Sequence, residues 1–246
     1  MTAAEPYTRL AGVYDEIVVD PCYAEWAAYL HELWGSDDAG VRAVLDVCCG
    51  TGLMAAELIA LGYDVVGVDA SAAMLARARG LLGPTARLLQ QTLPELTVEG
   101  VFDAAISNFD GLNYLSHADL TPTLAAVAER LRPGGWLVFD LHTDAMMDFT
   151  AAHPLVDGAD HGHTFSIASV VDLRARTCDT RIEIIRTEDG DAFTEQHRQY
   201  FFSDAQVRVA LTDAGFDQIT TTDEYSSDPV DDATLRATWT ARRKSG

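Results

Sequence analysis

Hydrophobic positions along the chain fall into two regimes. Between residues 44 and 141, short apolar runs alternate with stretches of helical spacing, whereas from about 164 to 202 apolar and polar residues alternate one by one. Val44, Leu45 and Val47 form a run too short for a helix, the pattern of a parallel strand buried on both faces. It ends at Gly50 and Gly52, and Leu53 to Leu61 reads as a helix that Gly62 stops. The next strand is Asp64 to Asp69. Ser71 then caps a helix to Arg79, with Gly80 as its end. Further strands are predicted at 85–90, 102–107 and 136–141, with a helix over 120–131 and a turn at Arg132-Pro133-Gly134-Gly135. Ahead of this series, Trp26, Leu30 and Leu33 carry helical spacing over 23–34, and Gly35-Ser36-Asp37-Asp38 breaks it.

The second regime predicts a sheet of another kind. Thr164–Leu173, Cys178–Arg186 and Phe193–Phe202 alternate as half-buried strands do, and the segments 174–177 and 188–191 between them read as hairpin turns. Ser203 then caps a helix to Ala214, Gly215 ends it, and strands at 216–223 and 235–241 close the chain. Strands alternating with helices predict a parallel sheet. The expectation is one α/β domain over 1–246, with an N-terminal helical flap (1–40) and a three-stranded antiparallel insert (164–202) after the fifth strand.

The first strand–glycine turn–helix has a chemical meaning. It sets free backbone N–H groups and a positive helix end beside a place where backbone lets a ligand approach closely. Asp69 stands nineteen positions after Gly50, where a carboxylate at a strand end can accept from ribose hydroxyls. A nucleoside site follows. A dinucleotide site fits poorly, because Cys48 stands where the first glycine of Gly-x-Gly-x-x-Gly belongs and Leu53 where the third does.

Asp46-Val47-Cys48-Cys49-Gly50-Thr51-Gly52, followed in order by Asp69-Ala70-Ser71-Ala72-Ala73-Met74-Leu75 and Leu131-Arg132-Pro133-Gly134-Gly135, resembles the motif series of class I S-adenosylmethionine-dependent methyltransferases. The resemblance spans almost the whole chain. It implies a Rossmann-like seven-stranded sheet whose last two strands are antiparallel, S-adenosylmethionine as cofactor and S-adenosylhomocysteine as product. It further implies that Asp46, Cys48, Gly50, Gly52, Asp69, Ala70 and Met74 bind the cofactor, although core packing accounts equally well for Met74. Where the family carries an acid beside adenine this chain has Thr92, whose hydroxyl can accept from an amino group, with backbone at Leu93 assisting. Asn108 and Phe109 are expected at the methionine part. Tyr14-Asp15 resembles the Tyr-Asp pair of small-molecule enzymes whose N-terminal segment folds over the cofactor, which places Tyr14 at the cofactor and Tyr7 at the acceptor. Asn113 and Tyr114 are further acceptor candidates; turn and cap chemistry is the plainer account of Asp110 and Asn113.

Composition narrows the partner. With 17 Lys plus Arg against 38 Asp plus Glu, the formal charge of −21 argues against nucleic acid and against a polybasic membrane surface. The four cysteines, at 22, 48, 49 and 178, lack metal-ligand spacing, and Cys48 and Cys49 read as small buried residues near the cofactor. The N-terminus shows neither a basic patch nor an apolar core of a signal peptide, and no run is long enough for a bilayer, so a cytoplasmic protein is expected.

The function expected is methyl transfer to N or O of a small-molecule acceptor in secondary metabolism, with C-methylation open. His142 and Asp110, just past strands five and four, are the candidates for a base. The insert roofs the acceptor in this reading, and a homo-oligomer interface is the rival use for it. Two other functions remain: the same fold and cofactor serving non-methylating chemistry or binding, and a nucleotide-dependent oxidoreductase.

Overall fold

The computed structural model describes residues 6–17, 22–35 and 40–245; the helix break expected at 36–38 and the N-terminal residues 1–5 lie outside them. The central strand β1 (Ala43–Val47) pairs in parallel with β2 (Asp64–Asp69) on one side and β4 (Phe102–Ser107) on the other. Helices α3 (Leu53–Ala60) and α4 (Ala72–Leu82) make the crossovers to β2 and to β3 (Arg87–Gln90). On the far side, β5 (Leu131–His142) is parallel to β4, and β11 (Arg236–Arg243) runs antiparallel between β5 and β10 (Phe216–Asp223). The order is therefore β10-β11-β5-β4-β1-β2-β3. The chain reverses its lateral direction between β1 and β4, so a crevice opens at their carboxyl ends.

Side-chain alternation on these strands fills two cores. Val44, Ala104, Ile106 and Val138 pack against Leu58 of α3 and against Trp26, Leu30 and Trp34 of α2 (Tyr23–Gly35), the helix after the short α1 (Tyr14–Ile17). Leu45, Val47, Ala105, Leu137 and Phe139 pack on the other face against Leu124 and Val127 of α5 (Leu120–Arg130) and Val207 and Leu211 of α7 (Asp204–Asp213). Burial on both faces is why β1 reads as an unbroken apolar run. No helix among the described residues is long and apolar enough to cross a membrane.

Between β5 and α7 stands a second sheet, reached through α6 (Asp144–Ala152), whose N-terminus Thr143 caps by accepting from the Met146 amide. It has four strands, not the three expected: β6 (Leu155–Asp160), β7 (His163–Asp172), β8 (Thr177–Arg186) and β9 (Ala192–Tyr200), antiparallel in chain order. The additional edge strand, Leu155-Val156-Asp157-Gly158-Ala159-Asp160, is exposed and does not alternate, and Gly158 leaves room for the Phe165 ring. Two other boundaries move. α4 runs through Gly80 to end at Gly83, which takes φ +84. Residues 132–135 are a bulge inside β5, since Phe102 pairs with Leu131 but Ala104 with Trp136.

Candidate active site

The crevice holds a cavity of about 890 Å³. Its floor is the loop leaving β1, which turns through Cys48 at φ +61 and Gly50 at φ +54. A Cβ added at Gly50 would touch nothing within 4 Å, so this backbone lies bare to the cavity. Asp69 at the end of β2 braces the loop: one carboxylate oxygen accepts the Gly50 amide at 2.9 Å and the other the Ser71 amide at 2.8 Å. Burial raises the pKa of Asp69 in spite of these bonds. Beside it, Asp46 is 1% exposed, and its Oδ2 has no hydrogen-bond partner. Burial, and then the Asp69 charge, push Asp46 up to about 8. Burial and Asp69 also raise the Cys48 thiol, which suits a packing group and not a nucleophile.

Tyr14, Asp46, Cys48, Gly50, Asp69, Ala70, Met74, Thr92, Asn108 and Phe109 all line the cavity, as do Tyr7 and Tyr114. Gly52, Leu93, Asn113, Asp110 and His142 do not. At Gly52 a Cβ would come within 3.1 Å of the Ala78 Cβ, so this glycine lets α3 and α4 pack closely. Leu93 packs against the core on the α5 and α7 side of the sheet. Asn113 is fully buried and tied off, accepting the His142 amide at 3.0 Å and donating to the Tyr200 carbonyl at 2.7 Å. It joins β5, β9 and the turn at 111–114, which leaves it unfit to touch an acceptor.

Asp110 and His142 belong to a charge cluster behind the cavity wall. Asp140, fully buried on β5, accepts the amides of Phe109 (2.8 Å) and Asp110 (2.5 Å), two residues at positive φ, and the Tyr225 hydroxyl at 2.8 Å. Burial, only partly offset by Arg236, raises Asp140 to about 6. Asp110 accepts from Gln199 at 2.5 Å and lies 3.5 Å from both Arg236 and the His142 Nε2. Burial lowers the His142 pKa although Asp110 opposes it, and its Nδ1 is buried without a partner. The ring stacks on Phe201. This neutral imidazole is placed to hold the cluster and not to meet a ligand in the cavity.

The roof joins two distant parts of the chain. Glu195 on β9 is fully buried, and its two oxygens accept the backbone amides of Tyr7, Thr8, Arg9 and Leu10 at 2.6–3.0 Å. Burial opposes ionisation of Glu195, but His197 and the amides outweigh it and hold its pKa low. The Tyr7 carbonyl accepts from Ser71 at 2.8 Å, and Thr51 donates to Asp15 at 2.6 Å, so the N-terminal segment is bonded to β9 and to the cofactor-side loops. Glu195 and His197 were missed in the sequence. Their signal was present as a Glu-x-His pair in an alternating strand, which sets both on one face.

Comparison with known proteins adds to this geometry. Residues 44–135, from β1 into β5, match the family model described as a methyltransferase domain. A protein of Geobacillus sp. (strain WCH70) that bears a methyltransferase name is 28% identical over 96% of this chain and 99% of its own. The crystal structure of an S-adenosylmethionine-dependent methyltransferase from Clostridium acetobutylicum ATCC 824 superposes with a TM-score of 0.84 at 22% identity, covering 97% of this chain and 99% of that one. Residues 44–135 carry a methyltransferase domain, and the whole chain has the fold of an S-adenosylmethionine-dependent methyltransferase. The oxidoreductase alternative is set aside, in keeping with the antiparallel β11 and the missing first glycine. Over 119 residues, this protein is also 33% identical to the dTDP-3-amino-3,4,6-trideoxy-alpha-D-glucopyranose N,N-dimethyltransferase of Streptomyces venezuelae, covering 48% of this chain and 50% of that one.

Proposed function

We propose that this methyltransferase transfers a methyl group from S-adenosylmethionine to the nitrogen of a small-molecule amine in secondary metabolism. The observation that carries the cofactor part is a pair of acceptors on the cavity wall, Asp46 Oδ2 and Asn108 Oδ1, both buried and without partners. A buried orphaned acceptor is unfavourable by about 1–3 kcal/mol, and a ligand ammonium removes that penalty. The methionine end of the cofactor carries such a group. Asp69, already fixed by two amides, keeps lone pairs for ribose hydroxyls, and Met74 and Thr92 line the cavity where the adenine would lie.

The amine part rests on the cavity's other walls. Tyr7, Tyr14, Tyr23 and Tyr114 gather there, and burial raises the pKa of each, so they present neutral hydroxyls and electron-rich ring faces. Among the described residues no Lys, Arg or His lines the cavity, so the wall they form carries no cation to repel an amine. The aminosugar dimethyltransferase relative supports the same class of acceptor. When bound, the cofactor supplies a methyl on a sulfonium, activated for in-line displacement; the protein's own part is to align the nucleophile and exclude water.

Labelled methyl transfer from the cofactor to glycine, sarcosine and a dTDP-linked aminosugar tests this reading, with catechol as the O-acceptor control. Transfer to catechol alone would overturn it. Calorimetry with S-adenosylhomocysteine tests the cofactor site separately: Asp69→Ala should weaken binding by about 1.5–3 kcal/mol, the scale of a charged hydrogen bond. Unchanged affinity in the folded variant would remove Asp69 from the site.

A further inference from the structure

The faces of β9 and the N-terminal segment meet in a continuous line of hydrogen bonds. The Tyr7 hydroxyl lies 2.8 Å from the Tyr114 hydroxyl, which lies 2.8 Å from His197 Nδ1, and His197 Nε2 lies 3.2 Å from Glu195 Oε2. Tyr7 and Tyr114 line the cavity, while His197 and Glu195 are buried behind them. We infer that these four residues form a proton relay that takes the proton of the acceptor amine out of the cavity; this inference rests on the amine reading above.

The direction of the relay follows from donor and acceptor inventory. Glu195 already accepts four amides and, ionised, has no hydrogen to give, so His197 Nε2 carries the hydrogen between them. Nδ1 is then an acceptor, and the Tyr114 hydroxyl donates to it. The Tyr114 oxygen in turn accepts from Tyr7. Every hydrogen in the line points toward Glu195, which leaves the Tyr7 oxygen as the open acceptor on the cavity wall. Among the described residues His197 forms its ion pair with Glu195. The β8 residues opposite this face are Thr180 and Ile182, the Tyr7 ring lies edge-on to the imidazole at 4.9 Å, and Tyr14 and Asp110 act one layer out through the two tyrosines.

An amine acceptor reaches the cavity largely as R–NH3+ and is not nucleophilic in that form. Its N–H proton passes to the Tyr7 oxygen as the Tyr7 proton passes to Tyr114 and the Tyr114 proton to Nδ1. The nitrogen keeps the electron pair of the broken N–H bond, and His197 becomes an imidazolium held against the Glu195 carboxylate. Both tyrosines end neutral, as burial requires of them. The proton returns along the same line once product has left. Tyr7 is the catalytic residue of the set. Tyr114, His197 and Glu195 act through it.

Nitrogen-15 NMR of histidine-labelled protein reads the relay without any acceptor. The expected result is the Nε2–H tautomer for His197, with an Nδ1 resonance that moves in Tyr114→Phe; an Nδ1–H tautomer would overturn the relay. Kinetics with the amine turned over fastest supplies the second test. Tyr7→Phe keeps the Glu195 contacts, which are to backbone, and should lower kcat roughly 10²-fold near pH 7, recovering as pH rises toward the amine's own pKa, with S-adenosylhomocysteine affinity within about twofold. His197→Gln should show the same loss and the same recovery. Rates that fall in parallel with wild type at all pH values, or do not fall, overturn the proton role. If the unmodified protein methylates no amine, the amine reading fails and the relay's function with it, whatever the tautomer.

Discussion

Asp46 is a carboxyl group with one oxygen unpartnered, 1% exposed, beside a second carboxylate. With a pKa near 8 it is protonated at neutral pH in the free protein. An ammonium placed against it favours the charged form, so binding must expel the proton. Calorimetry of S-adenosylmethionine binding in phosphate and in Tris at about pH 7 should therefore differ in enthalpy by close to one proton's worth of buffer ionisation. The difference should vanish above about pH 9, where Asp46 is already ionised, and in Asp46→Asn. Equal enthalpies in both buffers would mean that Asp46 does not meet the ammonium. At this scale the sequence was half legible. Asp46 and Asp69 could be picked out because strand ends and a glycine turn fix their place, whereas Gly52 and Asn113 carry the same residue types for packing and bracing. Nothing local separates those uses: Asn113 is tied off by Tyr200 and by His142, 87 and 29 positions away.

Strand β9 shows how one element's period organises the site. Glu195, His197 and Gln199 share a face and reach the N-terminal segment, Tyr114 and Asp110 respectively. The alternation was visible in the sequence, but the partners of this face come from up to 188 residues away, and only topology brings them there. For the same reason His142 and Asp110 looked like base candidates: both leave strands at the carboxyl edge, yet Asp140 and Arg236 draw them into a cluster behind the wall. The edge strand β6 escaped because an exposed edge needs no apolar alternation. If Glu195 is what fastens the roof, Glu195→Ala leaves four amides without their acceptor and should destabilise the protein by roughly 2–5 kcal/mol. Hydrogen exchange should then speed up at residues 7–10 while β1 and β4 stay protected. Equal protection of residues 7–10 in the variant would show that Ser71 and Asp15 suffice to hold the segment.

For the whole molecule, two sets of buried and half-buried groups act on stability in opposite senses. Glu195 and Asp103 have depressed pKa values: burial opposes this, but the hydrogen bonds of His197 and the amides for Glu195, and of the Ala43 and Arg42 amides and Arg132 for Asp103, outweigh it. Their contribution is present above the ordinary carboxylate range and is lost as pH falls through the folded values. His142, kept neutral by burial, works in the same sense, because the unfolded chain binds a proton there first. Asp140 at about 6 and Asp46 at about 8 work the other way. In each the folded state holds a proton that the unfolded chain has released, so stability falls as pH rises from the ordinary carboxylate pKa through 6 and then 8. The net charge of −21 adds self-repulsion in the same direction. The cofactor-free protein should therefore be most stable on the acid side of neutrality, with Tm declining from about pH 6 to pH 8.5. Asp46→Asn, which cannot ionise, should flatten that decline up to about pH 8 and leave unchanged the loss of stability in acid that Glu195 and Asp103 set. S-Adenosylhomocysteine should flatten it too, since its ammonium gives the ionised Asp46 a partner, so the Tm gain on adding it grows with pH. A gain independent of pH, together with a decline unaltered in Asp46→Asn, would assign the alkaline limb to surface repulsion and detach Asp46 from both stability and ligand binding.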